Sequence, residues 1–329
     1  MPPPDLVVVI SGGLSFEREI SIRSGNQVAD ALRDGGMDVM TLDIEPGMLE
    51  TLATLSNRTV AFMALHGPVG EDGVLQDLLD ASRIPYVGSR GDASRLAYNK
   101  PIAKYIIQRH GISTPAYAAL SERMFHDLGA EFLLDRFSQH FGYPLVVKPT
   151  RGGSAFGLSI VKDHTELPQA MIRCFNHART ALLERYIQGT EVAVGVIGDK
   201  DALTVLPPVE IVPVRGIYDF EARYNPGQTE FFIPARLPKE VLDNLSAVTR
   251  TIHTTLGLRH ISRSDFIVDD RGRPQFIEVT ASPSLSETSV VQFAMRAIGL
   301  APSQVFVDLA DAALTDSTID FRTTNGGSN

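Results

Sequence analysis

Three groups of residues in this chain have the types and spacing to do chemistry on charged small molecules. The first is Arg151-Gly152-Gly153-Ser154-Ala155-Phe156-Gly157, directly after Lys148-Pro149. Glycines let the main chain approach a triphosphate and turn its N–H groups inward, and Lys148 adds a point charge for phosphate oxygens. No Gly-Lys-Ser/Thr comes after it, so the segment is not a Walker loop. The second group is Arg263-Ser264-Asp265 with Glu278-Val279-Thr280. On paired strands Asp265 and Glu278 would aim at one point, where hard oxygen ligands suit a magnesium ion that also binds nucleotide phosphates. Arg263, two residues from Asp265, would share its face and reach phosphate or a developing oxyanion. The third group is Glu17-Arg18-Glu19 after the Gly12-Gly13 turn, with His66-Gly67 and Gly70-Glu71-Asp72-Gly73. A carboxylate there can hold a substrate ammonium. Each group alone also has a plainer account: a hairpin turn with a surface lysine, a solvated hairpin with surface ion pairs, or a first-turn acid answering a helix dipole beside an ordinary turn and a structural histidine.

The elements that must position these residues are legible in outline. Leu6 to Ile10 is a nearly all-apolar run ending in Ser11-Gly12-Gly13, which reads as a buried parallel strand entering a turn. A helical period from about Arg18 to Arg33 stops at Gly35-Gly36, and strands at 39–43 and 60–65 with a helix at 73–81 complete an α/β lobe assigned to 1–97. In such a lobe ligands sit at the carboxyl ends of strands, where the third group falls. A second lobe, 98–187, starts with a helix from about Asn99-Lys100 to His110. Its strands Pro144 to Pro149 and Leu158 to Lys162 bracket the glycine-rich loop, an arrangement a phosphate lid requires, and Ala181 to Ile187 is another strand with a polar hinge. A third lobe, 188–318, has strands at 191–197 and 208–214, a helix from about Lys239 to Leu256, and a hairpin around Asp269-Asp270-Arg271-Gly272 that carries Asp265 and Glu278. Thr323 to Asn329 hold nothing to pack a core, and the tail 319–329 is expected to be disordered.

Composition narrows the classes. Lys plus Arg is 30 against 39 Asp plus Glu, a formal charge of -9, and no long basic run offers a nucleic-acid footprint. Cys174 is the sole cysteine, so neither an intramolecular disulfide nor a zinc cluster is expected and a reduced cytoplasm fits. The N-terminus, Met1-Pro2-Pro3-Pro4-Asp5, reads without a secretion signal, and no stretch reaches the ~20 apolar residues of a membrane span. The first strand and Gly12-Gly13 lack the Gly-x-Gly-x-x-Gly of a dinucleotide-dependent oxidoreductase.

Taken together, the segments resemble the D-alanine–D-alanine ligase family of the ATP-grasp fold, in order from about Val7 to about Leu300. The opening Gly12-Gly13-Leu14-Ser15-Phe16-Glu17-Arg18-Glu19-Ile20-Ser21, then Leu65-His66-Gly67 with Gly70-Glu71-Asp72-Gly73 and Gln76, and Pro85-Tyr86-Val87-Gly88-Ser89 look like family signatures. So do Asn99-Lys100, Val147-Lys148-Pro149, Gly153-Ser154, Tyr218 to Tyr224, and Arg263 with Asp265 and Glu278. The resemblance implies an α/β protein of three lobes with the nucleotide between the last two. It implies an ATP-dependent ligase that makes D-alanyl-D-alanine for the cell wall through an acyl phosphate, with two Mg2+ ions (Mn2+ as a substitute), small amino acids as partners, and a homodimer. Lys100, Lys148 and Arg223 would bind nucleotide phosphates under a lid of Gly153, Ser154 and Gly157. Glu184, Arg185, Tyr186 and Ile187 would line the adenine hinge, and Glu191 would take the ribose hydroxyls. Asp265, Glu278 and Thr280 would hold metal, with Arg263 steadying the phosphoryl group and later the oxyanion. Glu17, near His66, would anchor the first ammonium and close the lid with Ser154 and Tyr224, while Ser284 would donate its main-chain N–H and Ser289 would meet the second carboxylate.

Four changes set the chain apart from the family pattern. Thr280 stands where an asparagine usually ends the metal strand, Pro283-Ser284-Leu285-Ser286 replaces Pro-Gly-Met-Thr, Asn99 replaces an aspartate, and Arg223 replaces a lysine. These changes leave open a ligase of a specialised pathway with other amino acid or amine substrates, and a nucleotide-binding module without catalysis.

Overall fold

The computed structural model describes residues 2–198, 202–225 and 227–316. The tail expected to be disordered lies outside the described residues. The chain builds three sheets in sequence order. The first comprises β1 (Leu6–Ser11), β2 (Val39–Asp43), β3 (Thr59–Met63) and β4 (Tyr86–Val87), all parallel in the order β2-β1-β3-β4. Its central strand is buried on both faces, as a run of valines with crossover helices requires. The second comprises β5 (Tyr117–Ser121), β6 (Leu145–Pro149), β7 (Ser159–Val161) and β8 (Thr180–Arg185), antiparallel in the order β5-β8-β6-β7. The third comprises β9 (Gly189–Gly198), β10 (Thr204–Val205), β11 (Val209–Pro213), β12 (Thr229–Phe232), β13 (His260–Asp269) and β14 (Pro274–Thr280). Its order is β12-β11-β9-β13-β14, with β10 on β9. Among the described residues no single helix is long and apolar enough to cross a membrane.

Chain order and packing diverge at two helices. Lys100–Arg109, grouped by sequence with the central lobe, buries Ala103 and Ile107 against Val192, Phe266 and Phe276 of the third sheet. Its start is fixed by Asn99, whose side chain accepts from the Ile102 N–H and so caps the orphan donors. Pro302–Asp316, at the end of the third segment, returns to the first sheet, where Phe306 meets Phe62 edge-on at 5.4 Å and Leu309 joins the core of Val7, Val9 and Val28. The reason is the same in both cases. The apolar stripe of a helix docks on whichever sheet face is bare, which sequence neighbourhood does not disclose.

The register of β13 and β14 decides where the chemistry goes. From Val268↔Pro274 to Phe266↔Phe276 the pairing keeps one register, and from Asp265↔Glu278 to Arg263↔Thr280 another, with a bulge between. Ile277 is the extra residue. Without it Glu278 would lie opposite Ser264 and on the far face from Asp265, because each residue of slip turns a strand over. The bulge therefore brings Asp265, Glu278, Arg263 and Thr280 to one face.

Candidate functional site

A cleft of about 470 Å3 separates the second and third sheets. Its floor is an ion network. Glu184, buried on β8, sits 2.6 Å from Lys148 on β6 and 2.7 Å from Lys104, which is wholly buried on the helix Lys100–Arg109. Lys104 also donates to the Thr114 hydroxyl at 2.7 Å and the Phe276 carbonyl at 3.1 Å, joining the central sheet to the strand that carries Glu278. Burial pulls Lys104 down to about 8, with Glu184 opposing that fall. Lys100 lies 3.3 Å from Glu278 and donates to the Gly152 carbonyl of the lid at 2.6 Å. Burial alone would raise Glu278, but Lys100, Lys148, Arg223 and Arg263 outweigh it and hold the carboxyl at about 2, fully ionised. Glu191 on the opposite wall is pushed up to about 7 by burial, which Arg223 only partly relieves.

A second pocket, about 50 Å3 and strongly polar, shares Lys100, Gly152, Gly153, Arg223 and Glu278 with the cleft. Glu17, the residue before the helix Arg18–Asp34, lies in its wall. The Ser154 hydroxyl donates to Glu17 and stands 3.0 Å from the Tyr224 hydroxyl, so segments of three lobes meet in one polar clasp. Ser154 and Ala155 hold left-handed φ of 53° and 59°, a conformation costly for side-chain-bearing residues and sustained here by the clasp. Gly67, at φ 80°, and Gly153 let the main chain come close to Glu17: an added Cβ would stand 2.7 Å and 3.0 Å from its carboxylate oxygens and displace them. Burial raises Glu17 and pushes nearby Glu71 up to about 8, the Glu17 charge adding to the effect on Glu71. Glu17 is relieved only in part by Lys100 and Arg223 in the same pocket. On its far side His66 Nε2 stands 2.9 Å from the Ser24 hydroxyl and Nδ1 3.2 Å from the Ser282 carbonyl. Burial pulls this imidazole down to about 4, so it is neutral. The Ser284 hydroxyl continues the chain, 3.3 Å from Ser24 and 3.0 Å from Ser286.

Most of the residues singled out in the sequence line one of these two spaces. Lys148, Glu184, Arg185, Tyr186, Ile187, Glu191 and Asp265 face the cleft. His66, Ser154, Tyr224, Arg263, Thr280 and Ser284 face the pocket. Four differ in how they do so. The Glu184 carboxylate is taken by two lysines, so it anchors the floor rather than standing free at the hinge. Thr280 donates its hydroxyl to Glu71 at 3.2 Å, on the pocket side of the shared wall. Gly157 lies outside both linings; its bare Cα, at φ 71°, lets the loop lie on Pro149 and His177. Ser289 also lies outside them, with its hydroxyl donating to the Ser284 carbonyl at the start of the helix Val290–Ala297. Asp265 gives both oxygens to Arg263, at 2.7 and 2.8 Å. Sequence reasoning missed Lys104 and Glu71. The four-residue step from Lys100 could have flagged Lys104, since it puts both on one helix face. Glu71 lies inside the Gly70-to-Gly73 motif, but its burial depends on β14.

Two antiparallel-rich lobes closing on a lysine-floored cleft, with acids on the strand pair opposite a glycine lid, define the ATP-grasp fold. Family models agree: "D-ala D-ala ligase C-terminus" matches residues 106–311 and "D-ala D-ala ligase N-terminus" matches 47–89. A D-alanine–D-alanine ligase of Syntrophotalea carbinolica is 36% identical over 315 residues, 95% of this chain and 96% of that protein. Among solved structures, the VanG D-Ala:D-Ser ligase of Enterococcus faecalis is similar with TM-score 0.80 at 26% identity, covering 94% of this chain and 99% of that one. The D-alanine–D-alanine ligase of Bacillus anthracis complexed with ATP gives 0.78 at 26% identity, covering 96% and 99%. The chain belongs to the D-alanine–D-alanine ligase family.

Proposed function

We propose that this chain joins two molecules of D-alanine into D-alanyl-D-alanine for peptidoglycan, converting one ATP to ADP and phosphate. One observation carries the reading: the nucleotide-sized cleft and the small carboxylate-lined pocket share Lys100, Gly152, Gly153, Arg223 and Glu278 as a common wall. A triphosphate in the first faces an amino acid in the second across that wall.

The residues offer a metal two carboxylates. Asp265 and Glu278 are cross-strand partners and Glu278 is ionised; Asp265, which gives both oxygens to Arg263, would have to yield one to the ion. Two carboxylates are what magnesium takes when phosphates and water complete its shell. Asp265 and Glu278 would hold Mg2+ or Mn2+, which would supply neutralisation of the phosphate charge.

The chain's own groups do the rest. Glu17 holds the ammonium of the first amino acid, so its carboxylate points to the shared wall. A carboxylate is a poor acyl donor, and phosphorylation supplies the leaving group; Lys100 and Lys148 balance the phosphates while the oxygen attacks phosphorus. The amine of the second molecule then attacks the acyl carbon, phosphate departs, and Arg263 with main-chain N–H groups steadies the oxyanion. Ser284 receives the second carboxylate, and Ser289 acts through it as a positioning residue. The lid keeps water out. A homodimer in the cytoplasm is part of this reading; Cys174, free and buried, is compatible with a reducing setting.

Incubation with D-alanine, ATP and magnesium releases phosphate and dipeptide in equal amounts. No dipeptide at millimolar substrate sinks the proposal. A second reading rests on the hydroxyl chain Ser24–Ser284–Ser286 at the pocket's far side. Hydroxyls there suit a hydroxyl-bearing acceptor such as D-serine, and a mass-spectrometric acceptor screen in which D-alanine clearly leads excludes it.

A further inference from the structure

Beside the polar clasp lies an aromatic one built from the same three segments. Phe16 precedes Glu17, Phe156 comes two residues after Ser154, and Phe220 precedes Tyr224 by four. Phe156, on the lid, stands 6.0 Å from Phe16 and 5.0 Å from Phe220, ring centre to ring centre, and Phe220 stands 5.0 Å from Tyr224. His177 closes the group, 5.8 Å from both Phe16 and Phe156. Phe16 is 79% exposed. Its ring neighbours among the described residues are the lid phenylalanine and His177. Gly157, at φ 71°, lets the loop approach His177 closely, where an added Cβ would stand 3.1 Å away.

We propose that Phe16, Phe156 and Phe220 are positioning residues whose rings hold the glycine-rich loop closed over the shared wall and thereby set how much acyl phosphate is lost to water. The polar clasp contains a carboxylate that must also bind substrate, so it tightens and loosens as substrate enters. The rings carry no charge, so their contacts do not compete with substrate for a carboxylate. If the loop lifts, the oxygen of water attacks the acyl carbon, the bond from that carbon to the phosphate oxygen breaks, and free amino acid and inorganic phosphate result. One ATP is then consumed without a peptide bond. An aromatic pair shifts such a closing equilibrium by about threefold to tenfold.

The inference rests on the proposed ligase reaction. Its test compares wild type, Phe16→Ala and Phe156→Ala in the full chain, reading phosphate and dipeptide together. Wild type yields a ratio near one; no dipeptide from wild type would refute the reaction, not the clasp. Each variant is expected to raise phosphate per dipeptide severalfold, with Phe156→Leu between. Trypsin supplies a measure independent of turnover: with ADP and magnesium present, cleavage after Arg151 of the lid, read by mass spectrometry, should quicken by a similar factor in both variants. Thermal unfolding at an unchanged temperature for Phe16→Ala excludes general damage. Ratios that stay at one, or unchanged cleavage at Arg151 in folded variants, overturn the proposal.

Discussion

The cleft and the pocket manage charge in opposite ways. In the cleft each buried lysine already faces a carboxylate: Lys148 and Lys104 flank Glu184, and Lys100 faces Glu278. That balance preorganises the cations without a ligand. In the pocket burial pushes Glu17 and Glu71 upward, Lys100 opposes this only from a distance, and among the described residues neither carboxyl forms an ion pair. In the proposed reaction an amino acid's ammonium supplies the further positive charge. The difference implies that nucleotide recognition is built into the folded chain, whereas the amino acid completes its own site.

The largest effect separating the two regions is expected at their shared wall. Glu278→Gln removes a carboxylate from the paired acids and the counter-charge of Lys100, and turnover should fall by roughly 100- to 1,000-fold, the scale of losing one fixed electrostatic group. Phosphate release under saturating substrates measures it. A loss below tenfold would mean that the wall is not where phosphoryl transfer occurs. Next is Lys104→Met, which leaves Glu184 with one lysine and should cost about 3 kcal/mol of stability, within the range for breaking a buried pair. Urea unfolding checks this. An unchanged midpoint would show that the cleft is not held by its ion network.

How much of this contrast the sequence disclosed differs by region. The glycine lid, the lysines and the hairpin carrying the acids were legible because local chemistry writes them: Asp269-Asp270-Arg271-Gly272 turns the chain, and strand periodicity aligns the residues on either side of that turn. The bulge at Ile277 was not legible, yet it puts Glu278 on the face of Asp265. Strand alternation from the hairpin turn alone would have sent the two acids to opposite faces. The charge state of the pocket was hidden for another reason. Glu71 is buried by contacts that include Thr280, 209 positions away, and no local pattern records such a meeting. The return of the helix Pro302–Asp316 to the first sheet is a third case, since its apolar stripe would fit several faces.

A smaller effect tests the pocket's unmet charge through pH. Glu71 titrates at about 8 in the folded chain, above the ordinary carboxyl value of 4.5. Between those values the unfolded chain has lost its proton and the folded chain keeps it, so stability declines as pH rises through this window and is level above it. Glu71→Gln removes the dependence. Its melting temperature should match wild type near pH 4.5 and exceed it by several degrees at about pH 8. Parallel curves across that range would show that the pocket acid is not short of a counter-ion.

The smallest effect sharpens the border between the regions. Thr280 stands on the strand of Glu278, where the family pattern has a metal-ligating asparagine, but its hydroxyl serves Glu71 at 3.2 Å and accepts from the Ser282 N–H at 3.2 Å. It therefore belongs to the pocket. Thr280→Val keeps the shape and deletes the hydroxyl. The magnesium concentration giving half-maximal rate should move by less than about threefold, because a hard cation bound through two carboxylates and phosphates does not depend on this oxygen. The Michaelis constant for D-alanine should move further than the magnesium constant, since Glu71 loses a partner beside the substrate ammonium. A tenfold or larger rise in the magnesium requirement with unchanged D-alanine dependence would place Thr280 on the metal and shift the border between cleft and pocket by one residue.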